Sequence, residues 1–196
     1  MNFNPEWLDE VIAHRRSVYQ QQYSGEPVSD DIVRRILENA IWAPTHKLTE
    51  PWSFVVFTGQ GIARLAEFQA ELYKKVTRSD NTYKDERYQN LLTKPALSSH
   101  IIAVGMKRDP KKSVPEVEEI GAVFCAVQNM YLTASANGVG AYLSTGGITY
   151  FEDAKEFFGL GKEDKLLGFF HIGMPRIEMP NGKRSPLSDK MKWVDG

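Results

Sequence analysis

From Val117 to Gly138 the chain reads VEEIGAVFCAVQNMYLTASANG, and no charged residue follows Glu119 until Glu152. Such a run admits two buried strands or one helix. Its alanine and methionine content favours a helix of about 20 residues, roughly 30 Å long. Glu116, Glu118 and Glu119 fall in its first turn, where the positive end of the helix dipole favours acids. Asn137-Gly138 is a stop signal. A helix apolar on nearly every face is buried or crosses a membrane. Gln128, Asn129, the small hydroxyl residues and the lack of a second such segment favour burial. Gly121, Ala122, Ala126, Ala134 and Ala136 allow another backbone to come close, in a core or at a subunit interface. The rest of the chain is expected to be arranged around this helix.

With 196 residues, the chain is expected to form one domain over 1–196 with a sizeable core. A formal charge of −1 gives no general attraction to nucleic acid or anionic membrane. Cys125, the single cysteine, has no intrachain disulfide partner, and its place in the apolar helix predicts a buried, inert thiol. The N-terminal MNFNPEWLDEVI lacks the basic-then-apolar layout of a secretion signal, so a cytoplasmic protein is expected.

Pro5 is placed to open a helix with Trp7, Leu8, Val11 and Ile12 on one side, delivering Arg15, Arg16 and Ser17 at its end. Two arginines there either complement the negative end of the helix dipole or form an anion site. Ser29 is the expected cap of a second helix, whose apolar face runs from Ile32 to Ile41. The loop WAPTHKLTEPW, 42–52, leads into a strand over 53–58, with His46 and Lys47 as its polar candidates. A third helix is expected over 59–76. Residues 77–94 have few aliphatics and many charges, which predicts a mobile lid or a solvated connection. Strands are expected over 99–106, 140–147 and 165–174, the last apolar enough for a covered central position. The basic turn KRDPKKSVP before the long helix reads as a solvated loop. Gly146-Gly147 forms a tight turn or lets backbone approach a ligand. A short helix over 151–158 should stop at Gly159, and 176–196 reads as an extended arm.

The chemistry is defined partly by what is missing. The four histidines have no metal-ligand spacing, and there is no GxSxG elbow, phosphate-binding P-loop or GxGxxG fingerprint. An enzyme without such constellations relies on a cofactor.

Four segments in order, HRRSVY at 14–19, APTHKLTEPWSFVV at 43–56, ANGVGAYLSTGG at 136–147 and GKRSPLSDKMKW at 182–193, resemble the FMN-dependent nitroreductase family. The loop at 43–52 resembles that of the small, minimal members. The resemblance implies an α+β fold, a mixed, mainly antiparallel sheet flanked by helices. It further implies a homodimer with an exchanged C-terminal arm and FMN at the interface. Carried over by position, Arg15, Arg16 and Ser17 hold the phosphate, ribityl chain and pyrimidine edge. Arg184 contacts the phosphate, and His46, with Thr45 and Lys47 beside it, is presented by the other subunit. Leu143, Ser144 and Thr145 lie against the isoalloxazine, while Gly146 and Gly147 offer an amide to flavin N5. Tyr19 stands where many members have a basic residue near the pyrimidine oxygen, and Lys94 is the candidate to supply that charge.

The implied activity is ping-pong transfer of hydride from NADH or NADPH through flavin N5 to a nitroaromatic, quinone or similar flat acceptor, with no side-chain nucleophile and no metal. Alternatives within this frame are specialised flavin chemistry, such as reductive dehalogenation or flavin fragmentation, and a non-enzymatic FMN-binding protein. A cofactor-free dimer would instead pair Arg15, Arg16 and Arg184 with acids.

Overall fold

The computed structural model describes residues 4–195. Helix α1, Pro5–His14, starts where Asn4 accepts a hydrogen bond from the Trp7 N–H at 3.2 Å, with proline in its first turn. Helix α2, Asp30–Ala40, is capped by Ser29 and buries Val33, Ile36 and Ala40. Strand β1, Trp52–Thr58, is followed by α3, Gln60–Ser79. Then come α4, Asp85–Thr93, and β2, His100–Met106. The long apolar run forms α5, Glu116–Ala136; β3, Gly140–Ser144, and β4, Lys165–Gly173, complete the sheet. Residues 152–158 adopt a 3-10 helix, which ends at Gly159 in the left-handed conformation.

The sheet order is β1-β2-β4-β3 and every ladder is antiparallel. Its mixed character is confined to one parallel bridge between Ser17 and Ala141, at the β3 edge. Strands β2 and β4 are covered on both faces, which explains their continuous apolar runs. Successive residues point to opposite sides. Ile102, Val104, Phe170 and Ile172 meet α2 and α5, while Ile101, Ala103 and Phe169 meet α3 and the turn around Phe158. Among the described residues, no helix is long and apolar enough to cross a membrane.

Three expectations change. Residues 77–94 contain an ordered helix, α4. Polar and aromatic contacts fix it to α3: the Tyr88 hydroxyl donates to Glu71 at 2.5 Å, and Lys74 sits over the Tyr88 ring at 5.3 Å. Such contacts leave no apolar period to read. Within the single chain, helix α5 is buried on one side only. Val117 is 72% exposed, Phe124 and Cys125 are exposed, and nothing lies near Gly121. The thiol is therefore a surface group.

The basic turn is also more than a solvated loop. Glu119, 1% exposed, accepts from the Arg108 guanidinium and from the Asp109 N–H at 2.8 Å. Arg108 also donates to the Val114 carbonyl at 2.8 Å, so one buried pair ties the turn to the start of α5. Removing one partner of a buried pair leaves the other uncompensated, at a cost of about 3–5 kcal/mol. Glu119→Ala should lower unfolding stability by that amount in a urea titration, and a loss under 1 kcal/mol would mean the pair does not anchor the turn.

Candidate functional site

The sequence candidates separate into two groups at opposite ends of α5. At the C-terminal end, the chain leaves α1 with Arg15, whose N–H closes the helix on Val11 at 3.0 Å. The Arg15 guanidinium stands 5.1 Å over the ring of Tyr131, a favourable cation-π arrangement. The Tyr131 hydroxyl accepts from the Leu143 N–H at 2.6 Å, and the Ser17 side chain lies beside it. Burial raises the phenol's pKa, opposed by the Leu143 and Ser17 contacts and by Arg15. One tyrosine of α5 thus gathers Arg15, Ser17 and the middle of β3. Sequence reasoning assigned Tyr131 to the core; its signal was a phenol inside an apolar helix, which needs a hydrogen-bond partner.

Arg16 points to the tail. Its Nε donates to the Pro180 carbonyl at 3.1 Å, and its Nη1 donates to Ala13 and Arg15 carbonyls at 2.6 and 2.7 Å. A side chain begun at Gly182 would stand 2.7 Å from the guanidinium carbon, so a larger residue there would displace the Arg16 guanidinium. Arg184 follows two residues later, exposed, donating only to the Lys183 carbonyl at 2.8 Å. Among the described residues, none of Arg15, Arg16 and Arg184 pairs with a carboxylate. An adjoining cleft of about 330 Å³ is lined by Arg16, Val18, Tyr131, Gly140 and Arg176.

Beyond β3, Thr145 and Gly146 are exposed, and Gly147 takes φ of +69° at the start of the 3-10 turn Gly147–Tyr150. The first N–H groups of such a turn have no partner within it. Beside Leu143 and Ser144, Tyr142 lies between Tyr19, with ring centroids 4.6 Å apart, and His171, stacked at 6.1 Å. The turn Gln20–Gln22, just after Tyr19, packs against the turn Lys94–Leu97.

The second group lies at the other end of the helix. His46 Nδ1 is 2.5 Å from Glu118, and Lys47 donates to the Ser113 carbonyl at 2.8 Å. The Thr45 hydroxyl meets that of Thr49 at 3.1 Å and accepts from the Glu50 N–H at 3.3 Å. Lys47, Leu48 and Glu50 all have positive φ, between 43° and 54°. Non-glycine residues held so cost of order 1–3 kcal/mol each and mark functional loops. The loop displays Trp42 at 84% and Leu48 at 79% exposure. Glu118 and Tyr131 are 13 helical residues apart, about 20 Å at 1.5 Å per residue. One chain therefore brings together Arg15, Arg16, Ser17 and Leu143 and leaves Thr45, His46 and Lys47 distant.

The nitroreductase family's sequence profile matches residues 12–174, and the chain belongs to that family. YfhC of Bacillus subtilis is 28% identical over 184 residues, 93% of this chain and 92% of its own length. Among solved structures, the nitroreductase-like protein of Bacillus cereus superposes with a TM-score of 0.84 at 26% identity, covering 100% of this chain and 99% of its own. A Desulfovibrio desulfuricans protein solved in complex with FMN gives 0.70, also at 26% identity, with coverage of 100% and 99%.

His171 accounts for much of the order under Tyr142. The Gln20 amide donates to its Nδ1 at 2.9 Å, and the Ser98 hydroxyl lies 3.2 Å away. Burial lowers its pKa from 6.5 to about 4. As pH falls, the unfolded chain takes up this proton first. Stability present above pH 6.5 is lost progressively towards pH 4, by about 3 kcal/mol in all. Urea unfolding at pH 7 and pH 4.5 should show a drop about 2–3 kcal/mol smaller in His171→Gln than in wild type.

Proposed function

We propose that the protein is an FMN-dependent oxidoreductase, oxidising NADH or NADPH and reducing a nitroaromatic, quinone or similar flat acceptor at a site completed by a second copy of the chain. The observation that carries this reading is Arg15 held over Tyr131, beside β3 and without a carboxylate partner. YfhC is provisionally named an NAD(P)H nitroreductase, and the Desulfovibrio relative was solved with FMN, which supports the same reading.

The residues fit the cofactor. A phosphate carries nearly two negative charges, and guanidinium forks match its geometry, so unpaired Arg15 and Arg184 suit one end. The Gly146-Gly147 turn, exposed at Gly146, suits the edge of a flat ring, with N–H groups at the start of a turn that have no partner within it. Bound FMN supplies the hydride-accepting chemistry that no side chain here provides. The chain's own residues bind and orient. Ser17 and Tyr131 fix the β3 edge, Arg15 and Arg184 neutralise the phosphate, and the Gly147 turn presents backbone donors. Tyr19 brings no charge to the pyrimidine end, and Lys94, in the turn packed against Gln20–Gln22, is the candidate to supply one. Mass chromatography of heat-released cofactor should give FMN, and FAD would sink the proposal. Arg184→Ala should weaken FMN retention by about 1.5–3 kcal/mol, the range for a hydrogen bond to a charged group.

The second copy follows from the separation along α5. Val117, Gly121, Phe124 and Gln128 form one exposed stripe of that helix. Two α5 helices crossing antiparallel on this stripe would bring the His46 loop of one protomer towards the Tyr131 end of its partner. A side chain begun at Gly121 meets nothing within 4 Å in the single chain. Gly121→Leu should therefore preserve helix content while weakening the dimer by about 1–3 kcal/mol through overpacking. Sedimentation with flavin absorbance checks this: an unshifted, fully flavin-loaded dimer would exclude the stripe from the interface.

A further inference from the structure

A cleft of about 410 Å³ lies between α3, α4 and the Gly147 turn, and apart from Gly147 the assignments above use none of its lining residues. Lys84 and Arg87 bring two positive charges to its lining. The one lining carboxylate, Asp80, is engaged by Thr82, whose N–H and hydroxyl donate to it at 3.0 and 2.5 Å. Among the described residues, neither Lys84 nor Arg87 forms an ion pair.

Arg87 is nevertheless held in place. Its guanidinium carbon lies 5.5 Å over the ring of buried Tyr73, and the Tyr73 hydroxyl accepts from the Lys84 N–H at 3.0 Å. One α3 tyrosine therefore fixes both the start of α4 and its cation. A side chain begun at Gly147 would stand 3.9 Å from Arg87 Nη2, so the guanidinium adjoins the Gly146-Gly147 turn. A planar fork at this place matches a carboxylate or phosphate by paired hydrogen bonds, and Lys84 adds a point charge.

We infer that Arg87, seconded by Lys84, is a specificity-determining residue that binds an anionic group, carboxylate or phosphate, on the flat molecule exchanging electrons at the Gly147 end of the site. The inference rests on the FMN reading of that site. The anion comes either from the electron acceptor or from the phosphate of the pyridine nucleotide, and the two half-reactions separate these sources.

For the first, pre-reduced FMN-loaded protein is reoxidised by 4-nitrobenzoate or by 4-nitrobenzamide, which has nearly the same shape and no charge. For the second, oxidised protein is reduced by reduced nicotinamide mononucleotide or by the corresponding phosphate-free riboside. In one arm the anionic member should be favoured about tenfold in rate constant at low concentration. Arg87→Gln should bring that ratio close to one, and Arg87→Lys should retain part of it. Binding of the favoured anion, read from the flavin absorbance change, should weaken in parallel. A ratio cancels any loss of folded protein. A change confined to the nitrobenzoate arm assigns the anion to the acceptor, and one confined to the nucleotide arm assigns it to the donor's phosphate. Flavin-loaded protein whose ratios are unmoved by Arg87→Gln in both arms overturns this inference alone. Protein that takes up no FMN overturns it together with the proposed function.

Discussion

The hydrogen bond from the Leu143 N–H to the Tyr131 hydroxyl, 2.6 Å long, joins the central helix to the edge strand. Much at that end depends on it. The same hydroxyl has Ser17 beside it, and the same ring carries Arg15. Ser17 in turn bridges to Ala141, so the segment after α1 runs beside β3 as a short parallel addition. The helix makes other directional contacts at its start and to α2, but this one sits where rotation by a single residue would take the ring from under Arg15.

The opposite end of α5 uses charge for the same purpose. Glu119 is buried and paired with Arg108, while Glu118, one residue earlier, faces His46 on the surface. Adjacent acids in one helical turn therefore serve separate loops. The strained residues 47, 48 and 50 lie between these loops and the sheet, held by hydroxyl and carbonyl contacts rather than by apolar cover. Restraint of this sort fixes a loop while leaving Trp42 and Leu48 on the outside.

The sequence made the regular elements legible wherever period and punctuation agreed. Ser29 before an apolar face, Asn137-Gly138 after a long one, and Gly159 after Phe158 each mark an observed boundary within a residue or two. Helix α4 was not legible, because only Tyr88 and Leu91 pack against the core and phenol-carboxylate and cation-ring contacts supply much of the rest. The role of Glu119 was hidden for a related reason: an acid in a first helical turn looks satisfied by the dipole, and its burial depends on a turn folding back. Arg15, Arg16 and Ser17 were legible as a motif. Their gathering by Tyr131 was not, since it depends on the angular position of α5 against β3. The single-chain distance between His46 and Arg15 was equally invisible, because spacing along a sequence carries no information about helix ends.

The Arg16 contact with Pro180 joins residues 164 positions apart. During synthesis, Arg16 emerges early and has only the nearby Ala13 and Arg15 carbonyls to hold until Pro180 has been made. The clasp therefore cannot guide folding of the first half of the chain, and chains cut short before Pro180 leave it open.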